Sequence, residues 1–417
     1  MPGPLVVASF AGAPNFGDDH MHALWLQFYR ETFPDARIRS ELAHSAFTAP
    51  HAAASNAGVG GWLFEAAKLI WGERVRSQKI DNDWTEGLLR QHLPDMVAAY
   101  DALFADTAAP GLLHVVGGGF INRFWPHSYA LLDLASWLRG RYGCRIVFTG
   151  QGLEPALAPA LERSQHGASP FIDIFDLRDE ASSDVARRTV AARSISQTGD
   201  DALLGLGAMG GEMRGVQFQA TPTIALAVQT RKFFDLEADG NAAVLAEAVR
   251  VAAEVLGAKR LVFLKAMRSD LSPDHSADTP DNPLHRMLSQ FQDVETISPK
   301  SLLTEGFPVF LHGLLFTTRY HPHLLAAAAG GRGMFIAQSS YYAVKHAAVT
   351  AMGSRFPTLA LDEDDATRRR AIENAIGNSS QNLVLLSNAV RAKRQLLDSL
   401  VGLVTGKALP NICAAAA

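Results

Sequence analysis

Two cysteines in 417 residues, Cys144 and Cys413, are too few for a disulfide framework. Neither sits in a CxxC or a Cys/His cluster with zinc-ligand spacing, so a structural zinc site is excluded and a reducing compartment is expected. A cationic excess is also missing. The 38 Lys and Arg stand against 42 Asp and Glu, a formal charge of −4, which argues against the basic face that a duplex nucleic acid demands. No apolar run reaches the roughly 18 residues of a membrane helix. The run from Leu324 to Ala329, for example, breaks at Gly330-Gly331-Arg332-Gly333. The opening stretch Leu5 to Phe10 follows no cationic region and is too short for a secretory leader. The expectation is a soluble cytoplasmic protein, and 48% apolar residues is enough for sizeable cores.

What is present is alternation. Short β-branched or aromatic runs recur between segments of helical spacing, the pattern of βα units around a parallel sheet. Leu5 to Phe10, Leu112 to Val116, Arg145 to Thr149 and Phe171 to Leu177 supply strands in the first half. Thr223 to Val228, Arg260 to Leu264, Leu314 to Thr318 and Met334 to Ala337 supply them in the second. Between the halves lies the glycine-rich stretch from Gly205 to Gly215. This predicts an α/β chain with an N-terminal Rossmann-like domain over 1–205, a hinge over 206–220, a C-terminal Rossmann-like domain over 221–380, and a final helix and tail over 381–417. Helices are predicted from His20 to Arg30 and from Ala242 to Leu256, with long loops from Ala43 to Gly61 and from Arg268 to Pro283.

Ligands of open parallel sheets bind at the carboxyl ends of the strands, so the segments after each strand matter most. Asn15, Asp18 and Asp19 follow the first strand, Gly117-Gly118-Gly119 the second, Gly150-Gln151-Gly152 the third, and Arg178-Asp179 the fourth. The glycine triplet is not GxGxxG, and the chain has no GxxxxGK[ST], so neither a dinucleotide fingerprint nor a P-loop supports the site. In the second half, Thr318-Arg319-Tyr320-His321-Pro322-His323 ends a strand where Pro322 suits the first turn of a helix, and Lys345 follows the next strand. Arg178 and Arg319 at two strand ends would present two planar cationic forks to one crevice, a site for a small, highly charged anion; each alone could equally be a surface ion pair. His321 could cap a helix, bind the anion or donate a proton. Asp81-Asn82-Asp83 has the DxD spacing of metal-dependent glycosyltransferases but follows no predicted strand.

In order along the chain, Asn15-Phe16-Gly17-Asp18-Asp19, Gly117-Gly118-Gly119, Gly150-Gln151-Gly152-Leu153-Glu154-Pro155, Arg178-Asp179-Glu180-Ala181-Ser182, Gly199-Asp200-Asp201-Ala202-Leu203, Arg319-Tyr320-His321 and Tyr342-Ala343-Val344-Lys345 resemble the polysaccharide pyruvyl transferase family. The likeness spans nearly the whole chain, with Arg-Tyr-His in place of the family's usual Arg-Leu-His and three glycines before Phe120 where four are common. The resemblance implies a GT-B-like architecture, two Rossmann-type domains whose parallel sheets face an interdomain cleft. It implies transfer of the three-carbon unit of phosphoenolpyruvate onto a sugar as a ketal, with no metal or other cofactor. Arg178, Arg319, His321 and Lys345 are then expected to hold phosphoenolpyruvate. His321 is the candidate general acid and Asp18 the candidate base. Asn15, Asp18, Asp19, Gly118, Gly119 and Gln151 are the candidate acceptor contacts in the N-terminal domain. The acceptor would be a saccharide, free or lipid-linked, met in the cytoplasm, and a lipid-linked one would bring peripheral contact at the inner face of the membrane. A nucleotide-sugar glycosyltransferase, or a non-catalytic sugar- or anion-binding protein, would share the same outline.

Overall fold

The structure, a computed structural model, describes residues 3–44, 54–77, 81–105, 109–163, 171–209, 213–230, 240–275, 282–337, 339–378 and 383–407. Parts of both predicted long loops, 45–53 and 276–281, lie outside the described residues, as do 210–212, Gln338, the predicted helix start at Gln381, and Cys413.

The chain divides into two compact units. Unit 1 comprises Met1–Ala13, Asp18–Leu204 and Ala389–Ala417; unit 2 comprises Pro14–Gly17 and Gly205–Asn388. Unit 1 is built on seven strands: β1 (Leu5–Ser9), β2 (Ile38–Leu42), β3 (Val59–Gly60), β4 (Leu112–Val115), β5 (Arg145–Gln151), β6 (Ile174–Leu177) and β7 (Ile195–Gln197). They pair in the order β3-β2-β1-β4-β5-β6-β7, every pair parallel. The residues of β1, Leu-Val-Val-Ala-Ser, are buried throughout, as a strand covered on both faces requires.

Unit 2 continues with β8 (Val216–Gln219), β9 (Thr223–Ala227), β10 (Arg260–Leu264), β11 (Asp293–Ile297), β12 (Phe307–Phe310), β13 (Leu314–Thr317) and β14 (Gly333–Phe335). Five of these form a parallel sheet in the order β11-β10-β9-β13-β14, and β8 pairs with β12 in a parallel ribbon. In each unit the strand order reverses at the centre, between β1 and β4 in unit 1 and between β9 and β13 in unit 2. The loops diverge at such a switch point and leave a crevice for ligand.

Three sequence expectations change. The first helix runs Phe16–Thr32 and so begins four residues before His20, which puts Asp18 and Asp19 in its first turn, where acids complement the helix dipole. The segment 206–220 is more than a hinge: it contains β8, held to β12 in register from Val216↔Phe307 to Gln219↔Phe310. The final helix, Leu383–Thr405, belongs to unit 1 from Ala389 onward.

Candidate functional site

At the switch point of unit 1, backbone pairing draws three loops together. Gly118 forms a parallel bridge with Gln151, and the Gly152 N–H donates to the Gly118 carbonyl at 2.9 Å. Gly118 carries no side chain where a Cβ would lie 2.7 Å from the Phe120 ring and 3.5 Å from the Asp18 carboxylate. Gly152 likewise leaves room for the Arg178 guanidinium, which a Cβ would meet at 2.3 Å. Arg178 is 5% exposed and donates from Nε to the Asp179 carboxylate at 3.2 Å. Asp179 in turn caps the helix Glu180–Thr189 by accepting the Ser182 N–H at 2.8 Å. The structure thus brings Asp18, Gly118, Gln151 and Arg178 to one edge.

Two of the expected acceptor contacts have internal roles instead. The Gln151 amide is buried and donates to the carbonyls of Val115 (3.1 Å) and Thr149 (3.0 Å), so it ties β4 to β5. Asp19 is buried and accepts the Gly12 N–H at 2.8 Å. The Gly119 carbonyl accepts from the Asn122 amide at 2.7 Å. Asn15 is expected with this group but belongs to unit 2: Asn15 bridges Met267, and the Phe16 N–H donates to the Ala266 carbonyl at 2.8 Å.

Beneath the glycine turn lies a buried polar network that sequence reading missed. Lys393, on the final helix, is 0% exposed and donates to Asp201 (2.9 Å), Asp176 (3.1 Å) and the Gly199 carbonyl (2.8 Å). Burial opposes its charge, but the two carboxylates outweigh burial and raise its pKa. Asp201 also accepts from the Trp25 indole (2.9 Å), the Gly117 N–H (2.9 Å) and the Thr149 hydroxyl (2.5 Å). Beyond Thr149 stand His114 at 2.8 Å and Tyr29 at 3.0 Å from that histidine. Asp201 occurs in the family-like motif Gly199 to Leu203, but nothing in the sequence marks Lys393, which sits on a helix face near the chain end.

At the switch point of unit 2, Arg319 ends the strand and precedes the helix Tyr320–Ala328. The Thr317 hydroxyl accepts its N–H at 2.8 Å and fixes the turn. Its guanidinium, 8% exposed, is not a free cationic fork. Nε donates to both oxygens of the buried Asp270 (3.0 and 3.2 Å), Nη2 donates to the same carboxylate, and Nη1 reaches the Tyr342 hydroxyl at 3.4 Å. Burial opposes the arginine's charge and Asp270 restores it, leaving its pKa above the ordinary value. Burial also raises the Asp270 carboxyl from its ordinary value, and the charge and hydrogen bonds of Arg319 oppose that rise. These bonds engage three of the five N–H groups of Arg319. The Lys345 ammonium is half-buried over the rings of Tyr341 (4.0 Å) and Tyr342 (5.3 Å), so Tyr342 touches both cations. His321 packs where Gly17 has no side chain; a Cβ there would lie 1.8 Å from its Nδ1. Arg319, Lys345 and His321 are thus positioned within unit 2, together with two partners the sequence did not reveal, Asp270 and Tyr342. His323 points inward, bonded to Ser354 (2.7 Å) and His346 (2.9 Å) between Phe335 and Phe356.

The DxD triplet resolves structurally: Asp81 caps the helix Asn82–His92 by accepting the Trp84 N–H at 2.7 Å. Among the described residues no cluster of three or more His, Cys, Asp or Glu could hold a metal ion, and no helix is long and apolar enough to cross a membrane.

Neither a protein-family model nor a curated protein matches the chain. Solved structures do. UDP-GlcNAc 2-epimerase from Methanocaldococcus jannaschii superposes with a TM-score of 0.51 at 12% identity, covering 95% of this chain and 99% of that one. A UDP-glucosyltransferase from Polygonum tinctorium aligns with a TM-score of 0.46 at 10% identity, covering 95% and 98%. The two parallel sheets, with the likeness to the epimerase, define a GT-B-like fold of two Rossmann-type α/β units.

Proposed function

We propose that the protein is a ketal pyruvyl transferase, which moves the three-carbon unit of phosphoenolpyruvate onto two hydroxyls of one sugar in a glycan or its lipid-linked precursor. The observation that supports it is the build of the unit 2 switch point. A buried arginine clamped by Asp270 and Tyr342, a lysine on the same tyrosine, and a histidine at the start of a helix form a rigid anion-binding edge.

Because Asp270 offsets the Arg319 charge, the residual N–H groups of Arg319 act as directional donors, and Lys345, held over Tyr341 and Tyr342, supplies a further positive charge toward phosphate or carboxylate. The resemblance adds Arg178 to the donor contacts. Charge-assisted bonds of this kind contribute roughly 1.5–3 kcal/mol each. In the reaction, His321 gives a proton to the methylene carbon of phosphoenolpyruvate. A sugar hydroxyl adds to the electron-poor C2 as its own proton passes to a base, for which Asp18 is the candidate. A second hydroxyl of the same sugar then displaces inorganic phosphate, closing the ketal as its proton passes to the deprotonated His321. Positioned acid–base groups typically contribute about 10²–10⁴-fold. Such a reaction would take place inside the cell, where phosphoenolpyruvate is made.

A second reading, a nucleotide-sugar glycosyltransferase, draws support from the likeness in fold to an epimerase that acts on UDP-GlcNAc. Thermal shift separates the two. On the first reading phosphoenolpyruvate raises Tm, Arg319→Ala removes the shift, and His321→Ala keeps it while losing turnover. A shift with UDP-sugars alone would support the second reading, and a shift without turnover across acceptors would indicate a binding protein.

A further inference from the structure

Beside the glycine turn of unit 1, aromatic side chains continue the core out to the carboxyl edge of the sheet. Phe10 follows β1. Its ring stacks on Phe120 with centroids 5.2 Å apart and planes at 15°, and it meets Phe64, Trp125 and His44 edge-on at 6.0, 6.0 and 5.3 Å. Phe64 and Phe120 are buried, Phe10 and Trp125 are half-buried, and His44 and Phe124 are exposed, Phe124 at 37%. Trp125 and Phe124 pack against each other at 6.0 Å. Phe64 and Phe120 belong to the unit 1 core and Phe10 packs against it, whereas Phe124 and Trp125 stay partly open to solvent on the loop after Phe120.

The loop is rigidly tied to the glycine turn. Asn122 is fully buried; its amide donates to the Gly119 carbonyl at 2.7 Å and its oxygen accepts the Phe124 N–H at 2.9 Å. The Arg123 N–H donates to the Pro155 carbonyl at 3.0 Å. The rings are thus preorganised relative to Gly118, Gly119 and Asp18.

Polar groups surround them. His44 and His127 both sense the charges of Lys68 and Glu65, themselves paired at 2.7 Å. Burial and then Lys68 lower both imidazoles from their ordinary value, so each is neutral at neutral pH and offers one donor and one acceptor. Partly exposed rings with a few convergent polar groups, among them the Arg123 guanidinium 5.6 Å from the Phe124 ring centroid, are the features of a small-molecule subsite. Here they match a hexopyranose, whose C–H face lies on aromatic rings while its equatorial hydroxyls need donors and acceptors at the edge.

We infer that Phe10, Phe124 and Trp125, with His44, His127 and Lys68 at the rim, form a pyranose-stacking subsite for the acceptor glycan. It rests on the reading of the protein as acting on a saccharide and goes beyond that reading by assigning the surface that holds one. The test uses the full chain and three soluble probes, lactose, cellobiose and N-acetyllactosamine, in saturation-transfer difference NMR. The expected result is transfer to ring C–H protons of at least one probe, reduced at least fivefold in Trp125→Ala and in the more tolerant surface variant Phe124→Ala, and retained in Trp125→Phe. The phosphoenolpyruvate-induced Tm shift should persist in both alanine variants. No transfer to any of the three sugars in the unsubstituted protein, or transfer unchanged in both alanine variants, overturns the subsite. Transfer that follows this pattern in a protein whose Tm ignores phosphoenolpyruvate would sink the donor assignment and leave the subsite standing.

Discussion

Both units bury charge near the carboxyl ends of their parallel sheets and use it differently. In unit 1, Lys393 lies between two aspartates that also accept backbone and side-chain donors, so the cation is enclosed and works on shape: through Asp201 it holds Gly117 and Trp25. In unit 2, Asp270 is the enclosed partner, and it leaves one edge of Arg319 beside Tyr342, Lys345 and the helix bearing His321. The first arrangement shapes a cradle, and the second presents donors. Two Rossmann-like halves can therefore share a topology while one specialises in geometry and the other in charge.

The largest effect is expected from removing the enclosed cation. Lys393→Met leaves Asp176 and Asp201 buried without a counter-charge and should cost about 3–5 kcal/mol in chemical denaturation. A change within 1 kcal/mol would show that the network's other donors suffice. Asp270→Asn is expected to cost about 3 kcal/mol, at the low end of that range because Arg319 retains Tyr342 and some solvent contact. It should also abolish the phosphoenolpyruvate-induced Tm shift, which Lys393→Met, if folded, should not.

Acid distinguishes the halves next. Burial holds His114 in unit 1 and His346 in unit 2 at a pKa of about 3, and burial with the neighbouring His346 holds His323 in unit 2 well below its ordinary value. Below about pH 6.5 the unfolded chain takes up protons that these folded-state histidines refuse, so stability falls from there toward pH 3, by about 1.4 kcal/mol per pH unit per histidine. Unit 2 carries two histidines lowered this strongly and unit 1 one, His44 and His127 of unit 1 being lowered less. All six tryptophans, at 25, 62, 71, 84, 125 and 137, lie in unit 1. Far-UV circular dichroism should therefore begin its acid transition at higher pH than tryptophan fluorescence; coincident transitions would contradict the difference. The smallest effect belongs to the DxD triplet. Asp81→Ala should cost about 1 kcal/mol as a lost helix cap, with no metal-dependent change in activity.

The sequence revealed what depends on pattern and local order. β1, β4, β5, β9, β10 and β13 are apolar runs, and the residues just beyond them carry the candidate chemistry. What it concealed depends on long-range pairing. β2 reads Ile-Arg-Ser-Glu-Leu, because its buried Ser40 and Glu41 have polar partners that arrive from elsewhere, the Ser55 hydroxyl at 2.5 Å and the Leu63 N–H at 3.2 Å. β11 is a largely exposed edge strand, Asp-Val-Glu-Thr-Ile, without an apolar signature. Asp270 lies 49 positions from Arg319, and Lys393 lies 192 from Asp201, so no local motif could pair them. The aromatic platform escaped notice because Phe10, Phe64 and Trp125 come from three separate segments.

Proton NMR of the protein incubated with phosphoenolpyruvate and a glycan panel in deuterated water tests the central claim most directly. A pyruvyl transferase that protonates the methylene carbon converts the two vinyl signals into a ketal methyl carrying one deuterium, releases one phosphate per ketal, and stops doing so in His321→Ala. Phosphoenolpyruvate left intact while a nucleotide sugar is consumed under the same conditions would contradict the account.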